Sequence, residues 1–154
     1  MIGNDIVDLK QADQDSNWNR KGYLDKIFTE EEQFLISSNM NPSLIVWLLW
    51  SMKESAYKIH SRATKLRTFA PTKLRCNNLI IHDYTATGNV LHEDDVYVTS
   101  SVITSEYIHT IAALSAKDLE LAEVRVSQHV DNNYRSSNPV SVSHHGRYLA
   151  LAYI

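Results

Sequence analysis

The chain begins with a segment in which apolar and polar residues alternate, the pattern of a β-strand with two different faces. This segment, residues 2–9, places Asp5 on the same face as Val7 and Leu9 and turns Asp8 towards solvent. Burying an unpaired carboxylate among apolar side chains is costly. The face that carries Asp5 is therefore expected either to open into a site or to hold a cation.

Two helix starts follow this strand. Thr29 and Glu32 have the spacing of a capping box, in which each side chain bonds the amide of the other residue, so a helix is predicted from position 29 to about 38. Glu32 is interpreted first as this capping residue and only second as a site residue. Asn41 and Pro42 supply the cap and the first position of a second helix, predicted to end near His60.

The second helix has two distinct faces when its residues are spaced at about 100°. The core-facing stripe is explained by packing and consists of Ile45, Leu48, Leu49, Met52, Ala56 and Ile59. The opposite face carries three large aromatic side chains beside a carboxylate and an ammonium: Trp47, Trp50, Glu54, Tyr57 and Lys58. Because a solvated face rarely has this composition, we expect something to cover it.

The rest of the chain is predicted as irregular segments and short strands. Residues 11–27 are polar and irregular. Strands are predicted at 79–82, 96–98, 107–113 and 123–126, with a turn at Thr87-Gly88-Asn89 and a strand, tight turn and strand over 140–154. With no internal repeat or linker in the sequence, residues 1–154 are expected to form one domain. The order of strand, helices and strands indicates an α+β fold, an antiparallel sheet packed against the long helix.

The composition of the chain argues against several classes of function. The 154 residues carry 15 Lys and Arg against 18 Asp and Glu, a net charge of −3, so no global basic field favours nucleic acid. The single cysteine, Cys76, cannot form an intramolecular disulfide. No apolar run approaches the roughly 18 residues of a membrane span, and the N-terminus lacks the pattern of a signal peptide. We therefore expect a cytoplasmic protein that has neither a membrane nor a nucleic acid as its partner.

Asp5 and Glu54 are the first candidates for chemistry. Two carboxylates with open positions suit Mg²⁺, which takes oxygen ligands, keeps several waters and shares substrate phosphates. The alternative is that Glu54 pairs with Lys58 one helical turn away and that Asp5 is an ordinary strand-end acid.

Phosphate-binding candidates lie elsewhere in the chain. Lys53 and Lys58 can form charge-assisted hydrogen bonds with a phosphorylated ligand. The turn at Ser143-His144-His145 offers a hydroxyl, backbone amides and imidazoles to the same kind of group.

Taken in order, four segments resemble the 4′-phosphopantetheinyl transferase superfamily. The first three are Gly3-Asn4-Asp5, Phe28-Thr29-Glu30-Glu31-Glu32 and Trp50-Ser51-Met52-Lys53-Glu54-Ser55-Ala56-Tyr57-Lys58. The fourth, Ser141-Val142-Ser143-His144, is similar to the closing segment of the short holo-acyl-carrier-protein synthases, which indicates the single-lobe type. The resemblance is firm over residues 1–58 and 139–154.

The resemblance implies transfer of 4′-phosphopantetheine from coenzyme A to a serine of a carrier protein, releasing adenosine 3′,5′-bisphosphate. Asp5 and Glu54 would hold Mg²⁺, Glu54 would accept the serine proton, and Lys58 would contact the pyrophosphate. Lys53 would contribute to coenzyme A binding, and Ser143 and His144 would bind its 3′-phosphate or adenine end.

The resemblance also implies partners. Carrier proteins of this kind are acidic, and Arg20, Lys21 and Lys26 would form the local basic surface that docks them. Alternatively, these cations only offset nearby acids: Asp13, Asp15 and Asp25. The short type forms a trimer in which the C-terminal segment reaches coenzyme A on a neighbouring subunit, so a homo-oligomer is expected.

Three features depart from the family pattern, and two other functions stay open. The segment His145-Gly146-Arg147 differs from the family pattern. Asn4 stands where an apolar residue is common, and Val7 stands where the surfactin type carries a second acid. A non-catalytic protein that binds coenzyme A or a carrier is the first alternative. A Mg²⁺-dependent phosphohydrolase of some nucleotide is the second.

Overall fold

The computed structural model describes residues 1–128 and 133–154. The strands of this part of the chain are β1 (Ile2–Asp8), β2 (Arg75–His82), β3 (Thr85–His92), β4 (Asp95–Ile103), β5 (Tyr107–Ala113), β6 (Glu123–Ser127), β7 (Ser141–His145) and β8 (Tyr148–Tyr153). Its α-helices are α1 (Leu9–Asp15), α2 (Tyr23–Ile27), α3 (Glu30–Ser38), α4 (Pro42–Thr64) and α5 (Ala116–Leu121).

The strands form two antiparallel sheets. The first has the order β1-β5-β4-β3-β2, and the second has the order β6-β8-β7. Helix α4 packs against the first sheet, mainly against β1 and β5, while β7 and β8 pack beside β1. The predicted α+β fold, with an antiparallel sheet against a long helix, is confirmed. Among the described residues, no helix is both long enough and apolar enough to cross a bilayer.

Helix α4 begins where its sequence pattern predicts and continues to Thr64, beyond the end expected near His60. The Asn41 side chain accepts a hydrogen bond from the Leu44 amide, and a proline occupies the first turn. All six residues of the predicted core stripe are at most 2% exposed. On the opposite face, Phe69 packs edge-on against Trp50 and tilted against Tyr57, with ring centroids 5.6 and 4.8 Å apart. The residues after the helix therefore cover part of its aromatic face.

The turn predicted at Thr87-Gly88-Asn89 is wrong, because these residues lie inside β3. The chain reverses instead before β3, where Asp83 adopts a positive φ of 35°. A Cβ on Gly88 would lie only 2.9 Å from the Cε of Met52. This glycine therefore lies where the sheet approaches the Met52 side chain of α4, and not in a turn.

The prediction that Asp8 is solvated is also wrong, because Asp8 is 1% exposed. Its carboxylate caps α1 through the Gln11 amide and accepts three hydrogen bonds from Arg147. These hydrogen bonds, with the Arg147 side chain as the largest contribution, hold the pKa of Asp8 well below its usual range. Gly146 has φ +53°, and a Cβ there would clash with the Asp8 side chain. Gly146 and Arg147 thus fix the β7–β8 turn against the end of β1.

Residues 11–27, expected to be irregular, contain most of α1 and all of α2. The Asp8 side chain caps α1 by accepting a hydrogen bond from the Gln11 amide, which has no partner within the helix. Both helices are short and carry little apolar periodicity, which is why the hydrophobic pattern does not predict them.

His109 makes the free energy of unfolding depend on pH. Its Nε2 lies 3.2 Å from Asn4 Nδ2, which donates to it, and burial lowers the pKa of His109 from 6.5 to about 4, with Lys58 acting in the same direction. At a pH between these two pKa values, His109 binds a proton in the unfolded chain but not in the folded chain. The contribution of His109 to the free energy of unfolding therefore falls as the pH decreases below 6.5.

We expect the wild type to lose about 2 kcal/mol more than His109→Gln between pH 7 and pH 5. Urea unfolding at both pH values measures the difference, and His82→Gln, at an exposed position, is the matched control. Equal losses in wild type and His109→Gln would show that His109 is not held neutral.

Candidate active site

A cavity of about 300 Å³ opens between β1, α1, α2, α4 and the β7–β8 turn. Its polar lining includes Asp5, Glu54, His144 and His145. Its apolar lining is Ile6, Val7, Ala12, Tyr23, Trp47 and Trp50. The two carboxylates singled out from the sequence therefore meet in one cavity, next to the histidines of the C-terminal turn.

Asp5 is nearly buried, at 9% exposure, and its two carboxylate oxygens differ in their surroundings. Ser143 Oγ donates to Oδ1 at 2.9 Å, and Lys58 Nζ lies 3.6 Å from the same oxygen. Oδ2 has no hydrogen-bond donor among the described residues. Burial raises the pKa of Asp5, and Lys58 and Ser143 act in the opposite direction.

Glu54 lies half-buried in the cavity wall with no hydrogen bond or ion pair from the described part of the chain. The alternative in which it pairs with Lys58 is therefore not what the structure contains. Burial raises the pKa of Glu54 to about 7, and the charge of Asp5 acts in the same direction. A carboxylate held without a partner beside a second carboxylate is a poor arrangement for stability and a suitable one for a cation.

Strand β1 lies at the edge of its sheet, and serine hydroxyls of β7 accept hydrogen bonds from backbone amides on its free side. Ser141 Oγ accepts a hydrogen bond from the Asn4 amide and Ser143 Oγ accepts one from the Ile6 amide, each at 3.0 Å. Ser143 Oγ also donates to Asp5, so this hydroxyl both accepts and donates a hydrogen bond. This position does not agree with the prediction that Ser143 binds coenzyme A, because the hydroxyl is buried and orients Asp5 instead.

His144 and His145 complete the cavity on the C-terminal side. His144 is exposed and lines the cavity. His145 lines it as well, and its Nδ1 accepts a hydrogen bond from the Asp8 amide at 2.9 Å. Both residues therefore line a cavity of their own chain.

The sequence predicts His145 only as one imidazole of a phosphate-binding turn. A period of two does connect it with the two serines of β7, and that signal could have placed it on the same face of the strand.

Lys58 lies behind Asp5 and lines a neighbouring groove together with Arg62. Its Nζ donates to the carbonyl oxygens of Asn4 at 2.6 Å and Val142 at 3.3 Å. Most of its donors are therefore already used, and the longer bond to Val142 is the one that a phosphate oxygen could replace. The described contacts make Lys58 a support for Asp5 and for the β1–β7 junction.

Lys53 does not reach the cavity. It is 0% exposed, and its Nζ donates to Glu32 Oε1 at 2.7 Å and to the carbonyl oxygens of Ile27 and Pro71 at 2.8 Å each. The prediction that Lys53 contributes to coenzyme A binding disagrees with this position, because all three of its donors are satisfied inside the protein.

Glu32 completes this internal cluster. It forms the predicted capping box with Thr29, and its second oxygen accepts a hydrogen bond from the Cys76 amide at 2.8 Å. The capping interpretation of Glu32 is therefore confirmed, and its carboxylate also anchors the start of β2.

Arg20, Lys21 and Lys26 are exposed around α2, the helix whose first residue, Tyr23, lines the cavity. The Arg20 guanidinium lies 5.1 Å from the centre of the Tyr23 ring. None of the three cations forms an ion pair in the described part of the chain, so nearby acids do not neutralise them through direct contact. They form a basic surface beside the cavity.

The cavity residues fit a hard divalent cation. Asp5 Oδ2 and the Glu54 carboxylate offer oxygen donors that no hydrogen bond occupies, and Mg²⁺ binds through one or two carboxylates, waters and substrate phosphates. Among the described residues no group of three or more histidine, cysteine or acidic side chains gathers as a closed metal site. Two carboxylates leave most positions around such a cation to waters and other ligands.

Residues 1–112 match the family model described as ACPS, the 4′-phosphopantetheinyl transferase superfamily. No curated protein matches the chain. The matched residues include Asp5, Glu54 and Lys58, whereas the β7–β8 turn lies beyond them.

Proposed function

Because the chain belongs to the 4′-phosphopantetheinyl transferase superfamily, we propose that it transfers 4′-phosphopantetheine from coenzyme A to a serine of an acyl or peptidyl carrier protein. The observation that carries this proposal is the unpartnered Glu54 carboxylate, which shares a cavity with Asp5. We further propose the holo-acyl-carrier-protein synthase type, which is supported by the Ser141-Val142-Ser143-His144 segment of β7 beside β1.

In the proposed reaction, the serine oxygen attacks the phosphorus that carries pantetheine. The bond from that phosphorus to the bridging oxygen breaks, and adenosine 3′,5′-bisphosphate leaves with the electron pair. The serine proton passes to Glu54, which forms no hydrogen bond or ion pair with the described residues and which is our candidate for the general base. Bound Mg²⁺ would neutralise charge that develops on the leaving phosphate.

The remaining residues position these groups. Asp5 and Glu54 are the proposed metal ligands, and Ser143 and Lys58 hold the Asp5 carboxylate in place. When Lys58 gives up its longer bond to Val142, it gains a donor for the pyrophosphate. His144 is the proposed contact for the distal end of coenzyme A, which is supported by its exposed position at the cavity mouth.

An intact-mass assay tests the proposal. An apo carrier protein is incubated with this protein, coenzyme A and Mg²⁺, with and without a chelator. The expected result is a carrier that gains the mass of one phosphopantetheine only in the presence of Mg²⁺. A chain that binds coenzyme A but modifies none of several carriers would favour the binding protein instead. Turnover of coenzyme A without a carrier would indicate a phosphohydrolase.

The basic surface is the proposed docking site for the acidic carrier. Reversing Arg20, Lys21 and Lys26 to Glu together is expected to raise KM for the carrier about 10-fold or more, because like charges oppose the encounter. Affinity for coenzyme A should not change. Steady-state kinetics at low salt measure the effect, since added salt screens it.

A matched reversal of three other exposed cations, Lys65, Arg67 and Lys117, controls for net charge. Equal effects of the two triple variants would contradict a local docking surface and leave only a dependence on total charge.

We also propose that the chain assembles as a homo-oligomer, with a trimer as the favoured state. Large apolar side chains lie exposed on strands and turns of the first sheet, including Ile80, Tyr84 and Val102, which are 57%, 75% and 45% exposed. Light scattering at several concentrations tests this state, and a monomer at all concentrations would exclude it.

A further inference from the structure

The hydrogen bond between His145 and β1 fixes the position of the imidazole proton. The Asp8 backbone amide can only donate, and it points at His145 Nδ1 from 2.9 Å. Nδ1 must therefore be the acceptor, so it carries no proton. A neutral imidazole has one N–H, which leaves the proton of His145 on Nε2.

The Nε2–H group is free to meet a ligand. None of the hydrogen bonds within the described residues uses it, and His145 lines the cavity that contains Asp5 and Glu54. A protonated ring nitrogen offers no lone pair, so Nε2 can neither ligate a metal nor accept the serine proton. It can only donate a hydrogen bond.

The surrounding contacts hold the ring in this orientation. His145 is the third member of an alternating series on β7, after Ser141 and Ser143, and each of the three accepts a backbone N–H of β1. The turn that follows is fixed by the salt bridge between Arg147 and Asp8. The donor is therefore preorganised before any ligand enters.

We propose that His145 donates its Nε2–H to a non-bridging oxygen of the coenzyme A pyrophosphate, with the Asp8 amide selecting the tautomer that makes this possible. This inference rests on the proposed function, because it takes coenzyme A as the ligand. The pyrophosphate is the group that would share a cation with Asp5 and Glu54, and His145 lies in the wall of the same cavity. His145 is thus a substrate-binding residue, and proton transfer is left to Glu54.

Nitrogen-15 NMR of the imidazole side chains tests the tautomer without any turnover. In the free protein, the two nitrogens of His145 should show the pattern of a neutral Nε2–H ring at pH 7. Addition of coenzyme A should shift the Nε2–H resonance, whereas the exposed His82 should not respond. A ring protonated at Nδ1, or an Nε2–H that does not respond to coenzyme A, would overturn the inference.

His145→Asn provides the second measurement. The asparagine Oδ1 can still accept from the Asp8 amide, but no donor remains at the position of Nε2–H. We expect the variant to keep its thermal stability and to lose about 10-fold or more in affinity for coenzyme A, the effect of one hydrogen bond to a charged group. His82→Asn should bind as the wild type does.

The two proposals can fail separately. Unchanged coenzyme A affinity in His145→Asn would overturn the role of His145 even where the intact-mass assay shows transfer. The converse result is also possible. If the Nε2–H resonance responds to coenzyme A and His145→Asn loses affinity, but the wild type modifies no carrier, the transferase proposal is refuted. The role of His145 in binding coenzyme A is then still supported.

Discussion

Glu54→Gln is expected to reduce phosphopantetheine transfer by at least about 1,000-fold while leaving the protein folded. The substitution removes both a proposed metal ligand and the proposed base, and either loss alone is worth orders of magnitude in rate. The carboxylate makes no hydrogen bond or ion pair in the described part of the chain, so the neutral amide disrupts no internal contact. The unfolding temperature should therefore stay the same or rise, as is common where an active site stores unfavourable charge.

The measurement pairs the intact-mass assay with thermal unfolding of the same preparation. Glu120→Gln, on exposed α5, is the matched control and should transfer at the wild-type rate. Normal transfer by Glu54→Gln would refute the assigned role. A marked fall in its unfolding temperature would instead show that Glu54 has a structural partner, contrary to its position in the cavity.

The elements that follow a clear periodicity could be predicted from the sequence. The apolar stripe of α4 recurs at helical spacing, and Asn41 with Pro42 is a local start signal, so the start of the helix and its buried face are as expected. Gly88 shows the limit of such signals. A glycine indicates a turn when read locally, but here its missing Cβ makes room for Met52 on an element distant in sequence.

The charged residues were harder to interpret, because their roles depend on contacts across the chain. Asp8 alternates onto the outer face of β1, yet the Arg147 side chain covers it from 139 residues away. Lys53 and Glu54 are adjacent in the motif and have opposite environments: one is enclosed by Glu32, and the other faces the cavity. Spacing alone identifies this pair as unusual but cannot say which member faces the site.

Lys53→Met is expected to destabilise the protein by about 3–5 kcal/mol, the cost of leaving one partner of a buried ion pair alone. Both side chains of the pair are 0% exposed, and the ammonium also satisfies the carbonyl oxygens of Ile27 and Pro71. Removing it leaves Glu32 as an uncompensated charge and two buried acceptors without a donor. The unfolding temperature should fall on the order of 10 °C.

The double variant Glu32→Gln with Lys53→Met separates loss of packing from loss of charge compensation. Neutralising Glu32 removes the orphaned charge, so the double variant should be more stable than Lys53→Met alone by at least about 1 kcal/mol. Below its unfolding transition, Lys53→Met should bind coenzyme A with wild-type affinity, because the ammonium never reaches the cavity. If Lys53→Met instead weakens coenzyme A binding and keeps the wild-type unfolding temperature, Lys53 contacts the ligand, and its assignment to the internal cluster is wrong.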